Sequence, residues 1–253
     1  GAHGLAVRCG ARVQRGWARA LLPLLGVRVE EAGPRPAVRA LVVANHLSYL
    51  DILVLASRVS CRFVAKSEIA GWRIVGPLAR TVGTLFLHQA RRRDLTRVGA
   101  EMEATLAAGV AAAIFPEGGA SRGLRVEEFH SSLFAPAADR ALPCWTAGLS
   151  YRTPGAPYGE AWTVCWWGGM DLWRHLWRLL ALPGIRARVR WCEVPAGGGD
   201  RKALARAARA VLAAGFTPIP QTPVPPDCPW PELVREIAAE ERGPAPAGPE
   251  AAP

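Results

Sequence analysis

Two spacings of apolar residues recur along the chain, and they predict the order of its helices and strands. Short runs of apolar and β-branched residues predict buried strands, and apolar residues three to four positions apart predict amphipathic helices. The predicted strands cover residues 40–44, 61–65, 83–87, 110–115, 141–151, 162–167 and 185–194. The predicted helices cover residues 5–26, 51–58, 72–82, 94–108, 171–182, 200–214 and 231–241. This alternation predicts an α/β fold with a mostly parallel, twisted sheet flanked by helices.

The two ends of the chain differ in composition from its middle. Residues 5–26 mix leucine, valine and Trp17 with arginines, as a basic helix lying in a membrane interface would, although the same helix could simply pack on the core. Residues 27–39 are expected to form a connector. The last 38 residues hold 11 of the 22 prolines, which favours an extended or disordered tail. We therefore predict an amphipathic segment over 1–30, a folded domain over 31–215 and a proline-rich, disordered tail over 216–253.

The formal net charge of +10 narrows the range of partners. Basic surfaces suit anionic lipid headgroups, phosphorylated substrates or nucleic acid. Aromatic residues are not interleaved with the basic runs and no nucleic-acid-binding motif is present, so nucleic acid is not expected as a partner. No apolar stretch reaches the roughly 18 residues that span a bilayer. The six cysteines lack metal-type spacing and are expected to be reduced core thiols, with no metal site.

Candidate chemistry begins in the segment Asn45–Asp51, which follows the first predicted strand. His46 and Asp51 are five residues apart, and on a continuous helix this spacing would turn their side chains roughly 140° away from each other. They meet only if the chain turns between the strand and the next helix. A carboxylate so placed would orient the imidazole and stabilise its protonated form. In the alternative interpretation, Asp51 is an ordinary acid at a helix start and His46 a loop residue.

Three further segments leave predicted strands in the same way. They are Gly83–Leu87 followed by His88 and Gln89, then Phe115–Gly123, and then the strand that begins at residue 141. The carboxyl ends of strands in an open α/β sheet form the ligand crevice, so these loops should cluster near His46.

The four segments in this order resemble the glycerolipid acyltransferases, in particular the 1-acyl-sn-glycerol-3-phosphate (lysophosphatidic acid) acyltransferases, over residues 25–195. The resemblance implies an enzyme of phospholipid biosynthesis at the cytoplasmic face of the membrane, peripheral or monotopic. His46 would be the general base that removes a proton from a lysolipid hydroxyl, and Asp51 would orient it. The donor would be acyl-CoA or acyl-carrier protein, and no cofactor would be needed. The expected acceptor is 1-acyl-glycerol-3-phosphate, giving phosphatidic acid.

The resemblance also implies substrate-binding residues. Glu117 corresponds to an acceptor-binding glutamate, or else is a structural carboxylate bonded to loop N–H groups. The backbone N–H groups of Gly118 and Gly119 are candidate donors to an oxyanion or a phosphate, because glycine lets the backbone approach closely. Ser121 could supply the hydroxyl that the family usually has at the position of Gly119.

The chain departs from the family in its second segment, where His88 and Gln89 replace an acid and a phosphate-binding arginine. Lys66 or the arginine run could bind the phosphate instead, although such a run is as readily a solvated surface. The run comprises Arg91, Arg92 and Arg93.

These departures leave alternative functions open. One is an acyltransferase for an acceptor without a phosphate monoester, such as a lyso-aminolipid, and another is a non-catalytic lipid-binding relative. A serine hydrolase ranks lower because no G-x-S-x-G motif is present. Six of the ten tryptophans lie between residues 162 and 191, so the helix at 171–182 could contact the bilayer, line an acyl-chain groove or belong to an aromatic core.

Overall fold

The structure is a computed structural model that describes residues 2–36, 39–73, 75–88, 92–140, 142–196 and 199–242. Its helices are α1 Ala2–Leu24, α2 Leu50–Arg58, α3 Val75–Thr81, α4 Arg92–Ala107, α5 Ala135–Asp139, α6 Glu160–Thr163, α7 Leu172–Leu180, α8 Arg201–Ala214 and α9 Pro231–Arg242. Its strands are β1 Val27–Ala32, β2 Leu41–Ala44, β3 Cys61–Lys66, β4 Leu85–Leu87, β5 Ala111–Ile114, β6 Cys144–Arg152 and β7 Ile185–Glu193. Two 3₁₀ turns cover Ser67–Gly71 and Ser131–Phe134.

The described strands form one sheet in the order β1-β7-β6-β2-β5-β3-β4. Neighbouring strands are parallel except for β6 and β7, which are antiparallel. The predicted α/β fold with a mostly parallel sheet is therefore confirmed. None of the described helices is long and apolar enough to cross a bilayer.

Helices cover both faces of the central strands. On one face, α1, α2, α7 and α9 pack against alternate residues of β2, β5, β6 and β7. On the other face, α4, α5 and α8 cover the alternate residues of β2 and β5 and the start of β6. This two-sided cover explains why β2 and β5 are continuous apolar runs, since every side chain in them is buried.

The register of β2 and β5 brings two loops together. Val43 of β2 lies opposite Ile114 of β5, and both strands end within a residue of that pair. The chain segments that follow them, Asn45–Tyr49 and Phe115–Gly123, therefore leave the sheet side by side at its carboxyl edge.

Three sequence predictions are wrong. Val27–Ala32 is not a connector but strand β1, which pairs with β7, so the sheet begins before residue 31. The strand expected at 162–167 is absent, because its first two residues belong to α6 and residues 164–167 form a loop. The tail is not disordered over residues 216–242, because Ile219, Trp230 and Leu233 are buried in the core. The short helix predicted at 231–241 is confirmed as α9.

Candidate active site

The loop between β2 and α2 is anchored at its first residue. The Asn45 side chain accepts a hydrogen bond from the backbone N–H of Leu149 at 2.7 Å and donates one to the carbonyl of the same residue at 3.0 Å. Asn45 therefore binds the β6 backbone as a neighbouring strand would. This pairing fixes the direction in which the chain leaves β2, and so the position of His46.

The turn brings His46 and Asp51 into contact. His46 Nδ1 lies 2.8 Å from Asp51 Oδ2, and the Asp51 side chain is fully buried. The same oxygen accepts hydrogen bonds from the backbone N–H groups of Leu47 at 2.6 Å and Ser48 at 2.9 Å. A carboxylate at Nδ1 favours the tautomer with its proton there, which leaves Nε2 able to accept a proton. The His46 side chain is 20% exposed, so a substrate can reach it.

Sequence reasoning missed the second partner of Asp51. Tyr151, at the far end of β6, donates its hydroxyl to Asp51 Oδ1 at 2.5 Å, and both side chains are buried. Burial, and after it the neighbouring Asp51, raises the pKa of Tyr151 well above its usual value. The tyrosine therefore stays a neutral donor. The strand alternation that places Ala147 and Leu149 in the same core layer as Tyr151 was the only signal for it.

We expect Tyr151→Phe to weaken both stability and catalysis, because it leaves one oxygen of a buried carboxylate without a donor. The free energy of unfolding should fall by about 1.5–3 kcal/mol. The turnover number should fall roughly tenfold because Asp51 can then shift away from His46. Chemical denaturation and steady-state kinetics measure the two effects. Tyr158→Phe is the matched control, since the Tyr158 hydroxyl is near the exposed carboxylate of Asp227 rather than a buried one, and it should change neither quantity appreciably.

The Phe115–Gly123 loop packs against the same histidine. The His46 ring stacks on Phe115 with ring centroids 4.2 Å apart, and the Ser121 N–H donates to the His46 carbonyl at 2.9 Å. The imidazole is thus held by Asp51 on one side and by an aromatic face on another.

Glu117, in this loop, is a buried carboxyl group without a partner. Neither of its oxygens has a hydrogen-bond partner among the described residues. Burial is the main cause that raises its pKa to about 8, and the charges of Asp51 and Glu127 add to the shift. The backbone N–H groups of His46 and Glu127 oppose the shift without reaching hydrogen-bond geometry. The loop therefore does not satisfy this carboxyl group, in contrast to the structural alternative.

The raised pKa of Glu117 predicts a pH-dependent stability. In the folded protein Glu117 keeps its proton up to about pH 8. In the unfolded chain its pKa returns to the ordinary value of 4.5, so the proton is lost at a much lower pH. Unfolding thus releases a proton between these pH values, and stability falls as pH rises through this range. We expect the stability advantage of Glu117→Gln over the wild type to be about 3–4 kcal/mol larger at pH 8 than at pH 5. Urea unfolding at both pH values measures this, and an equal difference at the two would contradict it.

The other predicted binding residues differ in their exposure and in whether the structure describes them. Gly118 has φ of +80°, and a side chain there would meet the His130 ring at 3.0 Å, so glycine is required. Gly119 is exposed, and Lys66 is exposed at the carboxyl end of β3. Arg91 and the Arg92 side chain, like Gln89, lie outside the described residues. The structure therefore brings together His46, Asp51, Glu117 and Ser121 and leaves the phosphate-binding hypothesis for the arginine run without a structural account.

A second histidine lies behind the loop. His175 of α7 is fully buried, with Nδ1 3.0 Å from the Tyr49 hydroxyl and Nε2 3.0 Å from the Cys165 carbonyl. Burial lowers the pKa of His175 to about 4, so it is neutral and accepts from Tyr49. Because Tyr49 lies between His46 and Asp51 in sequence, α7 supports the loop directly. The contact is not predictable from the residues around position 175, which form an ordinary amphipathic helix.

Comparison with known proteins assigns the family. A family model described as Acyltransferase matches residues 26–150. The chain is 33% identical over 202 residues to a lyso-ornithine lipid O-acyltransferase of Pseudomonas aeruginosa, an alignment that covers 79% of the chain and 77% of that protein. The chain belongs to this acyltransferase family. The resemblance inferred from the four sequence segments is thereby confirmed.

The acyltransferase also resembles relatives with two different named acceptors. It is 35% identical over 191 residues to a lyso-ornithine lipid O-acyltransferase of Rhizobium meliloti, which covers 71% of the chain and 65% of that protein. It is 30% identical over 171 residues to a 1-acyl-sn-glycerol-3-phosphate acyltransferase of Neisseria meningitidis, which covers 65% of the chain and 64% of that protein.

A solved structure supports the fold assignment. The 1-acyl-sn-glycerophosphate acyltransferase PlsC of Thermotoga maritima matches the acyltransferase with a TM-score of 0.57 and 20% identity, covering 81% of the chain and 77% of PlsC. At this identity the likeness shows a shared fold.

Proposed function

We propose that this acyltransferase moves a fatty acyl group from a thioester donor, acyl-CoA or acyl-carrier protein, to the free hydroxyl of a lysolipid, with His46 as general base. The observation that carries the proposal is the contact between His46 Nδ1 and the buried Asp51, with Nε2 uncommitted to any described residue. This is the arrangement of a general base whose protonated form a carboxylate stabilises.

In the proposed reaction, Nε2 of His46 takes the proton from the acceptor hydroxyl as its oxygen attacks the thioester carbonyl carbon. A C–O bond forms and a tetrahedral oxyanion develops, for which the backbone N–H groups at Gly118 and Gly119 are candidate donors. The C–S bond then breaks, and the leaving thiolate takes the proton from the imidazolium. Asp51 stabilises the imidazolium throughout. The chain supplies the base and the positioning, and no covalent acyl-enzyme forms.

We propose a lyso-ornithine lipid as the preferred acceptor, with 1-acyl-glycerol-3-phosphate as the second candidate. The relatives with the higher identities and longer alignments described above are named for lyso-ornithine lipid. Glu117 adds a chemical reason, because a buried carboxyl group without a donor suits an acceptor that brings a hydroxyl or an ammonium group. The second candidate is kept because the Neisseria meningitidis relative is named for that acceptor. Proteins with the same fold can act on different substrates, so the fold does not choose between the two acceptors.

A panel of acceptors tests the proposal. Purified protein is incubated with an acyl-CoA or an acyl-carrier protein and with lyso-ornithine lipid, 1-acyl-glycerol-3-phosphate or no acceptor, and the products are read by mass spectrometry. We expect acylated ornithine lipid to form fastest. Phosphatidic acid as the faster product would reverse the order of acceptors. Free fatty acid without any acylated lipid would contradict transfer altogether.

We further propose that α1 binds the cytoplasmic surface of an anionic membrane. Its buried residues form one stripe, and Val13, Trp17 and Leu24 form a second apolar stripe that is exposed. The arginines of α1 lie on the opposite flank of the helix. Residues 13, 17 and 24 share a helix face, since their spacing returns to the same direction within about 40°. Such a helix can insert its exposed apolar stripe between lipid headgroups, and the net charge of +10 attracts the protein to an anionic surface.

We expect Leu24→Ser to weaken binding to vesicles containing phosphatidylglycerol several-fold, because Leu24 is 81% exposed on this stripe. The matched control is Leu124→Ser, an exposed leucine outside α1, which should leave vesicle binding unchanged. Co-sedimentation with vesicles measures both variants. Equal binding by the two variants would contradict the assignment of the membrane surface to α1.

A further inference from the structure

The sheet carries a row of arginines that no part of the chemistry described above uses. On β7, Arg186, Arg188 and Arg190 alternate with buried residues and are exposed on one face. Arg28 of β1 and Arg152 of β6 both lie opposite Arg186 in register. These five residues are called the arginine groove. None of the ion pairs found among the described residues involves any of them.

Arg28, Arg186 and Arg152 lie side by side on three neighbouring strands, and their charges repel one another. Side chains in register on adjacent strands are about 5 Å apart, and like charges at that distance destabilise a sheet. Two acids lie nearby: Glu30 is opposite Arg188 in register, and the buried Glu160 accepts the Thr153 N–H at 2.9 Å. They offset only part of the charge of the five arginines. A surface with this excess of positive charge suits an anionic ligand.

The shape of the groove points to a small, phosphate-bearing anion. A cavity of about 370 Å³ lies at the Arg152 end. Three arginines, two acids and three hydroxyl residues contribute to its lining: Arg152, Arg186, Arg188, Glu30, Glu160, Ser150, Thr153 and Thr217. Guanidinium groups bind phosphate oxygens in pairs, and hydroxyl groups supply further donors. A protein partner would need a flatter and larger surface, about 800 Å² on each side.

The sheet register places the groove beside the catalytic loop. Arg190 lies opposite Gly148, one residue before Leu149, to which Asn45 is hydrogen bonded. From there the row continues through Arg188 to Arg186, about 13 Å in all. These two arginines lie opposite Ser150 and Arg152, the residues on either side of Tyr151, which donates to Asp51. Thr217, which lines the cavity, is two residues before Ile219. The Ile219 N–H donates to the carbonyl of Gly123, the last residue of the Phe115–Gly123 loop.

The arginine groove and the helices that expose apolar residues, α1 and α7, lie on opposite faces of the sheet. Ile185, Ala187 and Val189 of β7 pack in the core layer shared with α1 and α7. The arginines alternate with them and so point to the opposite face of the sheet. An enzyme that sits on a membrane through α1 therefore presents the arginine groove to water, where a soluble substrate arrives.

We propose that the arginine groove binds the phosphate groups of the acyl donor. This inference rests on the proposed acyl-transfer function. The group that binds is a phosphate ester or pyrophosphate of a phosphopantetheine thioester. It belongs either to the nucleotide of coenzyme A or to the phosphopantetheine arm itself. The acceptor lipid enters from the membrane side, and the donor's phosphates are held on the other face.

The double variant Arg186→Gln, Arg188→Gln tests the site. It relieves repulsion at exposed positions, so it should fold. We expect KM for the acyl donor to rise about 10–100-fold, with kcat and the KM for the lysolipid changed less than about threefold. The matched control is Arg201→Gln, Arg206→Gln, which removes two exposed charges from α8 and should leave all three parameters unchanged.

Three donors distinguish the sources of phosphate. A rise in KM for both acyl-CoA and S-acyl-4′-phosphopantetheine assigns the groove to the phosphate of the arm, and a rise for acyl-CoA alone assigns it to the nucleotide. An effect confined to acyl-carrier protein, or to the lysolipid, would overturn the proposal. Calorimetric titration with coenzyme A decides the question without turnover. Weaker binding by the double variant supports the groove even if the wild type transfers no acyl group, and equal binding overturns it.

Discussion

Replacement of His46 by glutamine is expected to lower kcat for acyl transfer about 10³-fold, because it removes the group that takes the hydroxyl proton. Glutamine fills a similar volume and can still donate to Asp51, so the buried carboxylate keeps a partner at the position now 2.8 Å from Nδ1. The residual rate should come from the binding of the two substrates side by side. Single-turnover measurements with a labelled thioester separate this loss from any loss of binding.

The KM values of the His46→Gln variant provide the control. They should stay within about threefold of the wild type, because the change removes proton transfer rather than substrate contacts. A variant that turns over at the wild-type rate would remove His46 from the mechanism. A variant that loses kcat only in proportion to its loss of folded protein would show a structural role instead.

Asp51→Asn is expected to lower kcat about 10²–10³-fold while the protein remains folded. The amide oxygen can accept from the N–H groups of Leu47 and Ser48 that Asp51 Oδ2 now binds, and the amide nitrogen can face the Tyr151 oxygen. The negative charge that stabilises the imidazolium is lost, however. Stability should fall by no more than about 1–2 kcal/mol, since most hydrogen bonds are retained.

Comparison of the two single variants with the double variant tests whether His46 and Asp51 act as one unit. If they do, the double variant should be about as slow as His46→Gln alone, because the carboxylate works only through the imidazole. Multiplicative losses would mean that Asp51 contributes to catalysis independently of His46.

The contact between His46 and Asp51 could be predicted from sequence because both residues and the turn between them lie within a seven-residue segment. Its spacing excludes contact on a helix, and the preceding apolar run marks the buried strand. Glu117 was found for a similar reason, since it follows the next buried strand. In a parallel sheet, segments after neighbouring strands meet at one edge, so local patterns locate the site.

The supporting residues could not be predicted because nothing local marks them. Tyr151 and His175 reach the loop from 100 and 126 residues away, and each occupies an ordinary position in a strand or a helix. Only the packing of β6 and α7 on the sheet reveals their roles. Conversely, proline content suggested disorder in residues 216–242, where Ile219 and Trp230 are buried, because proline restricts the backbone without preventing such anchoring.

The path of β6 has a consequence for synthesis of the protein. Two anchors of the catalytic loop, Leu149 and Tyr151, are made about a hundred residues after Asn45 and Asp51, which they bind. Contacts of such long sequence separation form late, after closure of a long loop. A ribosome-bound chain that ends before residue 151 therefore carries His46 and Asp51 without the two contacts that hold their loop in place. The nascent chain cannot complete this site until β6 has joined the sheet.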